Sequence, residues 1–316
     1  MNHPGQTFAE PDVRTPLARF QGEPPPAPAW FDTAMAAEPE KQRIEVRGVG
    51  IEALTWGQRG DPGILLAHGR HAHAGWWRHI APGLADGFRI AALSFSGAGR
   101  SGWRTAYALD DHMVEIYAVA EAAGLFEAGP PLMAAHSMGG LPMVRLAARR
   151  GHELGGLMLI DSRILPPDLA PPIPILRGTK PYATLAAALA RFRLGPPQPV
   201  KNLFLADAVA REGLLKNAVD GTWSWRFDPG SFAFTGAEPW PDLAQVGCPL
   251  EIVYGGRSTI VTEAVIAAQT AQVPAAARFT CVPDAWHHVP LDQPGALTAL
   301  LRDAALRAAG HPEALP

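Results

Sequence analysis

Four short runs, "GILLAHG" (63–69), "FRIAALSF" (88–95), "PPLMAAH" (130–136) and "LGGLMLID" (154–161), are apolar at nearly every position. A strand with one face in water alternates apolar and polar residues, so a run without that alternation must be covered on both faces. Stretches of helical period separate the runs. "DDHMVEIYAVAEAAG" (110–124) has Asp110 and Asp111 to cap its start and Gly124 to stop it, and "LPMVRLAARRG" (141–151) follows the third run. The rhythm resumes in "CPLEIVYG" (248–255), "TEAVIAAQTAQV" (262–273), "ARFTCVPD" (277–284) and "PGALTALLRDAALRAAG" (294–310). Strand alternating with helix predicts an α/β fold with a mostly parallel, doubly covered sheet. "RIEVRG" and "IEALTWG", separated by Gly48 and Gly50, predict a hairpin ahead of it.

The rhythm breaks at 164. "LPPDLAPPIPILRGTKP" is too rich in proline for sheet, and the stretches after it, such as "LAAALARFRL" and "TWSWRFDPGSF", look helical with aromatic punctuation. The expected organisation is an extended Pro-rich arm over 1–40, with Trp30 and Phe31 as docking anchors, and a core over 41–164 and 241–316. A helical cap over 165–240 is inserted after the sixth strand. With 316 residues and 47% hydrophobic content, the chain has ample material for one large domain with an insertion. A net charge of −3, with Lys and Arg scattered, excludes the electrostatic footprint of a nucleic-acid binder. No signal-peptide h-region or membrane-length apolar run is present, so no membrane partner is expected and the cytoplasm is the expected location. Cys248 and Cys281 do not make a disulfide framework and read as reduced core thiols.

Chemistry gathers at three places. Ala135-His136-Ser137-Met138-Gly139 is a small-residue corner between a strand and a helix, and it lifts a hydroxyl out of the sheet edge. A serine that merely caps the helix is the plain alternative. "AHGRHAHAGWW" ends a strand in His68-Gly69. The backbone N–H of Arg70, with that of Met138, would cradle a tetrahedral oxyanion. His71 and His73 form an H-x-H pair without the partner ligands a zinc site needs, so no metal is assigned to them. They are expected to line the entrance or bond neighbouring loops, while Trp76 and Trp77 pack. "VPDAWHHVPLDQP" offers His287 and His288 just past the last strand; His287 is taken as the general base for Ser137.

Ser137 in its corner, His68-Gly69 upstream and His287 downstream resemble the alpha/beta-hydrolase family from about 43 to 310. "SFSGAGRSGW" (94–103) resembles the family's Gly-rich turn after the fourth strand, and "HHVPLDQP" its ending around the catalytic histidine. The resemblance implies the alpha/beta-hydrolase fold and a helical cap after the sixth strand. Family members most often carry their acid in a "G-x-x-D" turn after the seventh strand; here "GGRS" supplies Ser258. Asp161, ending the sixth strand, is the expected replacement, since adjacent strand ends lie about 5 Å apart. Asp284 and Glu263 are weaker rivals, and Asp161 pairing with Arg163 is the structural alternative. Ser258, His68 and Gly69 would then support the reacting groups.

A serine nucleophile, a histidine base and a backbone cradle suit acyl transfer to water through an acyl-enzyme. Esters and lactones of hydrophobic small molecules lead as substrates, with Trp223, Trp225 and Phe227, and also Phe232 and Phe234, as candidate apolar walls. Arg70 is a candidate for a substrate carboxylate. No cofactor is expected. The alternatives are carbon–carbon bond hydrolysis of diketone-like ring-fission products and a non-catalytic binding protein on the same fold.

Overall fold

In the computed structural model of the protein, the structure describes residues 13–169, 180–234 and 239–310. Ten strands form among the described residues: β1 (Glu40–Val46), β2 (Val49–Trp56), β3 (Gly63–Ala67), β4 (Arg89–Ser94), β5 (Leu132–His136), β6 (Gly156–Ile160), β7 (Leu214–Lys216), β8 (Trp223–Trp225), β9 (Leu250–Gly255) and β10 (Arg278–Val282). Eight of them make one sheet in the order β1-β2-β4-β3-β5-β6-β9-β10. β2 runs antiparallel to both neighbours, and every other pairing is parallel. β1 and β2 join through Arg47 and Gly48, both at positive φ (50° and 76°), a two-residue turn whose twist suits a hairpin.

Every residue of β3, β4, β5 and β6 is buried. Successive side chains point to opposite faces, and two separate cores result. Leu65, Leu93, Met133 and Leu159 join one with Ile116, Val119 and Val144, whereas Ile64, Ile90, Ala134 and Ile160 join the other with Trp77, Ile80, Leu297 and Leu301. A charge from β4 sits in this sandwich. Arg89, 1% exposed, is met by the Ala123 and Gly57 carbonyls and by Glu40 Oε2 at 2.9 Å, so its desolvation is offset by a filled donor set.

The helices are α1 (Ala29–Ala36), α2 (Leu109–Ala122), α3 (Gly140–Arg150), α4 (Leu185–Leu189), α5 (Leu203–Glu212), α6 (Trp240–Leu243), α7 (Glu263–Gln272), α8 (Val289–Asp292) and α9 (Pro294–Ala308). Where an extended arm is expected, α1 forms, and Trp30 and Phe31 meet Phe204 of α5 edge-on. Asp110 and Asp111 lie in the first turn of α2 rather than capping it; Ala108 is the cap residue, with no side-chain bond. Asp110 instead binds Arg145 and Arg149 of α3, and Asp111 binds Arg47. Gly124, at φ 79°, does follow the helix end.

Between β6 and β9 the described residues form α4, α5, the β7–β8 hairpin and α6, and are less helical than expected. Residues 170–179 of its proline-rich start fall outside the described residues. Cys281 is exposed on β10, not in the core, and is paired in register with Tyr254, six positions beyond Cys248. That offset, about 20 Å along a strand, keeps the two thiols apart. Among the described residues no helix is long and apolar enough to cross a membrane.

Candidate active site

Ser137 follows β5 directly, at φ 53°, and a single turn of 3-10 helix carries the chain into α3. A left-handed conformation at a residue with a side chain is costly. Here it turns the hydroxyl away from the strand at the carboxyl end of the sheet. Small neighbours are obligatory. A Cβ on Gly139 would lie 2.3 Å from the His68 carbonyl oxygen, and one on Gly69 would lie 2.9 Å from Ser137 Cβ. The end of β3 is therefore pressed against the corner, and the Gly69–Arg70 peptide follows at once.

One strand over, Asp161 ends β6, also in a left-handed conformation (φ 47°), and is 0% exposed. Its Oδ1 accepts from Gly255 N at 2.9 Å. Its Oδ2 accepts from His287 Nδ1 at 2.6 Å and from Ser258 Oγ at 2.7 Å. Ser258 Oγ in turn accepts from Ile260 N and Val261 N, both at 3.1 Å. The turn after β9 thus delivers a hydroxyl, not a carboxylate, to the Asp161–His287 pair. The rivals lie elsewhere: Asp284 is on the surface with Arg257 at 2.7 Å, and Glu263 is exposed in the first turn of α7. Because Asp161 meets the ring of His287, His288 does not occupy the acid's partner position.

His68 is a buried neutral ring. Its Nδ1 donates to the Gly69 carbonyl at 2.6 Å, and its Nε2 accepts from Phe95 N at 3.0 Å, tying the loop after β3 to the end of β4. Burial lowers its pKa to about 3. His73 bonds the Val209 carbonyl of α5 through Nε2, whereas His71 stacks on Phe227 with centroids 4.4 Å apart. Phe227 also bridges Ala98 of the turn after β4. Trp223 and Trp225 pack into a different cluster, with α4 and α5, and Trp225 faces Phe192 at 6.1 Å. Phe232 is fully buried beside His68 and Phe95, and Phe234 lies against it.

Two features escape the sequence reading. His136, preceding the serine, donates through Nε2 to the His287 carbonyl at 2.9 Å, fastening the β5 end to the histidine loop. Gln198 donates to both oxygens of Asp292 at 3.0 Å and accepts from His288 N at 3.1 Å; Asp292 also accepts from Trp286 N. His136 and Asp292 are marked in the sequence only as polar neighbours of Ser137 and His287, which does not tell where their side chains point, and Gln198 lies far from both in the chain and carries no such signal.

A sequence profile of the alpha/beta hydrolase family matches residues 64–300. Esterase Rv0045c of Mycobacterium tuberculosis is 27% identical over 84% of this chain and 88% of its own. A structure of that esterase, described together with its inhibition by transition metals, superposes with a TM-score of 0.65 at 23% identity, over 92% of this chain and 97% of its own. The monoacylglycerol lipase of Mycolicibacterium smegmatis is 32% identical over 53% of this chain and 58% of its own. With the strand order, the left-handed serine corner and the family match over most of its length in agreement, this chain belongs to the alpha/beta hydrolase family.

Proposed function

We propose that this chain is a serine carboxylic-ester hydrolase that works through an acyl-enzyme. Ser137 is the nucleophile, His287 the base and Asp161 the acid. The observation that carries the reading is the 2.6 Å contact of His287 Nδ1 with a fully buried, three-fold hydrogen-bonded Asp161. With its proton held at Nδ1, the ring presents the Nε2 lone pair. Nε2 takes the proton of Ser137 Oγ as the oxygen attacks the ester carbonyl. The N–H groups of Met138 and Arg70 receive the oxyanion, a contribution of a few kcal/mol per donor. Collapse expels the alcohol, which takes its proton from Nε2. Water then enters, His287 deprotonates it, and the acyl-enzyme yields the carboxylic acid and free Ser137.

The described residues between 165 and 240 act as the cap over this site. Supporting this, Gly99 N donates to the Arg226 carbonyl, Asp228 N donates to the Gly97 carbonyl, and Gln198 joins the histidine loop. Phe227, next to the loop that follows Gly69, is the wall suited to an apolar substrate group. Relatives named as an esterase and a monoacylglycerol lipase favour esters of hydrophobic small molecules; lactones follow the same chemistry.

A fluorophosphonate probe should label the native protein and leave Ser137→Ala unlabelled, with p-nitrophenyl ester turnover lost in parallel. A native chain that neither labels nor turns over esters would point to a binding protein. Turnover confined to ring-fission diketones in a substrate panel would replace ester hydrolysis with carbon–carbon cleavage.

A further inference from the structure

His136, His287 and His288 each place a ring nitrogen within 4.8 Å of the others'. All three are buried, at 2%, 3% and 6% exposure. The proposed reaction uses one of them. His287 commits Nδ1 to Asp161, so the nitrogen it offers is Nε2. His136 commits Nε2–H to the His287 carbonyl, which leaves the lone pair of a neutral ring on Nδ1. His288 is the unexplained member. Neither of its ring nitrogens closes a hydrogen bond of normal geometry, although the Gly195 carbonyl lies close enough to favour the charged ring. Its ring is enclosed by His287 (4.7 Å), His136 (5.4 Å) and Trp76 (5.4 Å). Burying an imidazole without using its polar atoms is costly.

We propose that this cluster is a binding site for a borderline divalent transition-metal ion such as Zn2+ or Co2+, and that occupancy inhibits the enzyme by capping His287 Nε2. The inhibitory half rests on the function proposed above; the binding half does not. Imidazole nitrogen selects such ions over Mg2+ or Ca2+. The carboxylate on His287 Nδ1 is the partner that metal-bound histidines commonly have, and it fixes the tautomer and the ring's orientation. The feature that makes Nε2 a base for Ser137 therefore makes it a ligand as well. Tetrahedral Zn–N bonds set ligand nitrogens about 3.3 Å apart, so rings whose nitrogens lie up to 4.8 Å from one another must turn their lone pairs inward and close on the ion. Water or Ser137 Oγ would supply the fourth position. A metal on Nε2 occupies the lone pair that takes the serine proton, and attack stops.

The test uses the full chain in a non-chelating buffer. Zn2+ should abolish ester turnover as one ion binds per chain, with recovery on adding EDTA. Co2+ should give the visible absorption of a nitrogen-rich site, and these bands should fail to develop on protein already fluorophosphonylated at Ser137, where the adduct fills the space before His287 Nε2. His288→Phe keeps a ring against Trp76 and should weaken Zn2+ inhibition at least about tenfold, measured relative to the variant's own metal-free turnover. His152→Ala, at an 80% exposed side chain, should change nothing. Unaltered inhibition in His288→Phe, or equal Co2+ bands on labelled protein, would overturn the proposal. If His288→Phe does not fold, the Co2+ comparison on native protein decides alone. A native chain without ester turnover would defeat the functional reading, and the same Co2+ titration would still decide the metal site.

Discussion

Asp292 is a carboxylate that burial has made reluctant to ionise. Its pKa is pushed up to about 6 from 3.8, chiefly by desolvation, against the pull of Trp286 N and Gln198. Between those values the unfolded chain has lost the proton that the folded chain still holds, so this group's contribution to stability declines as pH rises from about 4 to about 6. The full effect is up to about 3 kcal/mol. Urea denaturation of native protein and Asp292→Asn across that range should show a difference curve falling with pH; a flat difference would mean the carboxylate is solvated. Single residues are unevenly legible. Ser137, Asp161 and Ser258 are identifiable because each ends or follows a strand whose apolar run locates it. His287 and His288 are not separable on the same grounds, since neighbours in a loop differ only in where their side chains point. The Asp161 contact distinguishes them.

Elements are legible where burial dictates composition. β3 to β6 have to read as unbroken apolar runs because both faces are covered. α1 and the β7–β8 hairpin escape notice, since their half-buried faces lean on each other's neighbourhood and leave no period of their own. Asp110 and Asp111 look like a cap in one dimension, but α3 brings Arg145 and Arg149 beside the first of them. The β5–α3 corner carries the tightest steric constraint at this scale. Gly139→Ala should push against the His68 carbonyl and cost about 1–3 kcal/mol, with fluorophosphonate labelling lost through displacement of Ser137. A urea midpoint and labelling rate equal to those of the native protein would show that the corner has room the close approach denies.

Across the whole molecule, acid should be destabilising. His68 is held at a pKa of about 3 and His79 at about 4, both mainly by burial. Below an unfolded value near 6.5 the unfolded chain takes up protons that these rings refuse, so stability falls as pH drops from about 6.5 toward 4. Two rings at about 1.4 kcal/mol per pH unit each outweigh the single opposing slope of Asp292. Unfolding free energy at pH 7, 6 and 5 should decline steadily; a constant value would place water on those rings. Such burial is a product of the same packing that brings Asp161 and His287, 126 positions apart in the chain, into contact at the sheet edge where Ser137 leaves β5. The proposed chemistry depends on that convergence, with the acid one strand from its usual place. Ester kcat in Asp161→Asn and Ser258→Ala is the decisive comparison. In Asp161→Asn the new side-chain amide would face the imidazole N–H and favour the wrong tautomer, so kcat should fall on the order of 10^4-fold with the fold retained. Ser258→Ala should lose about tenfold, through one hydrogen bond to the carboxylate. Near-native turnover in Asp161→Asn would refute the relocated acid.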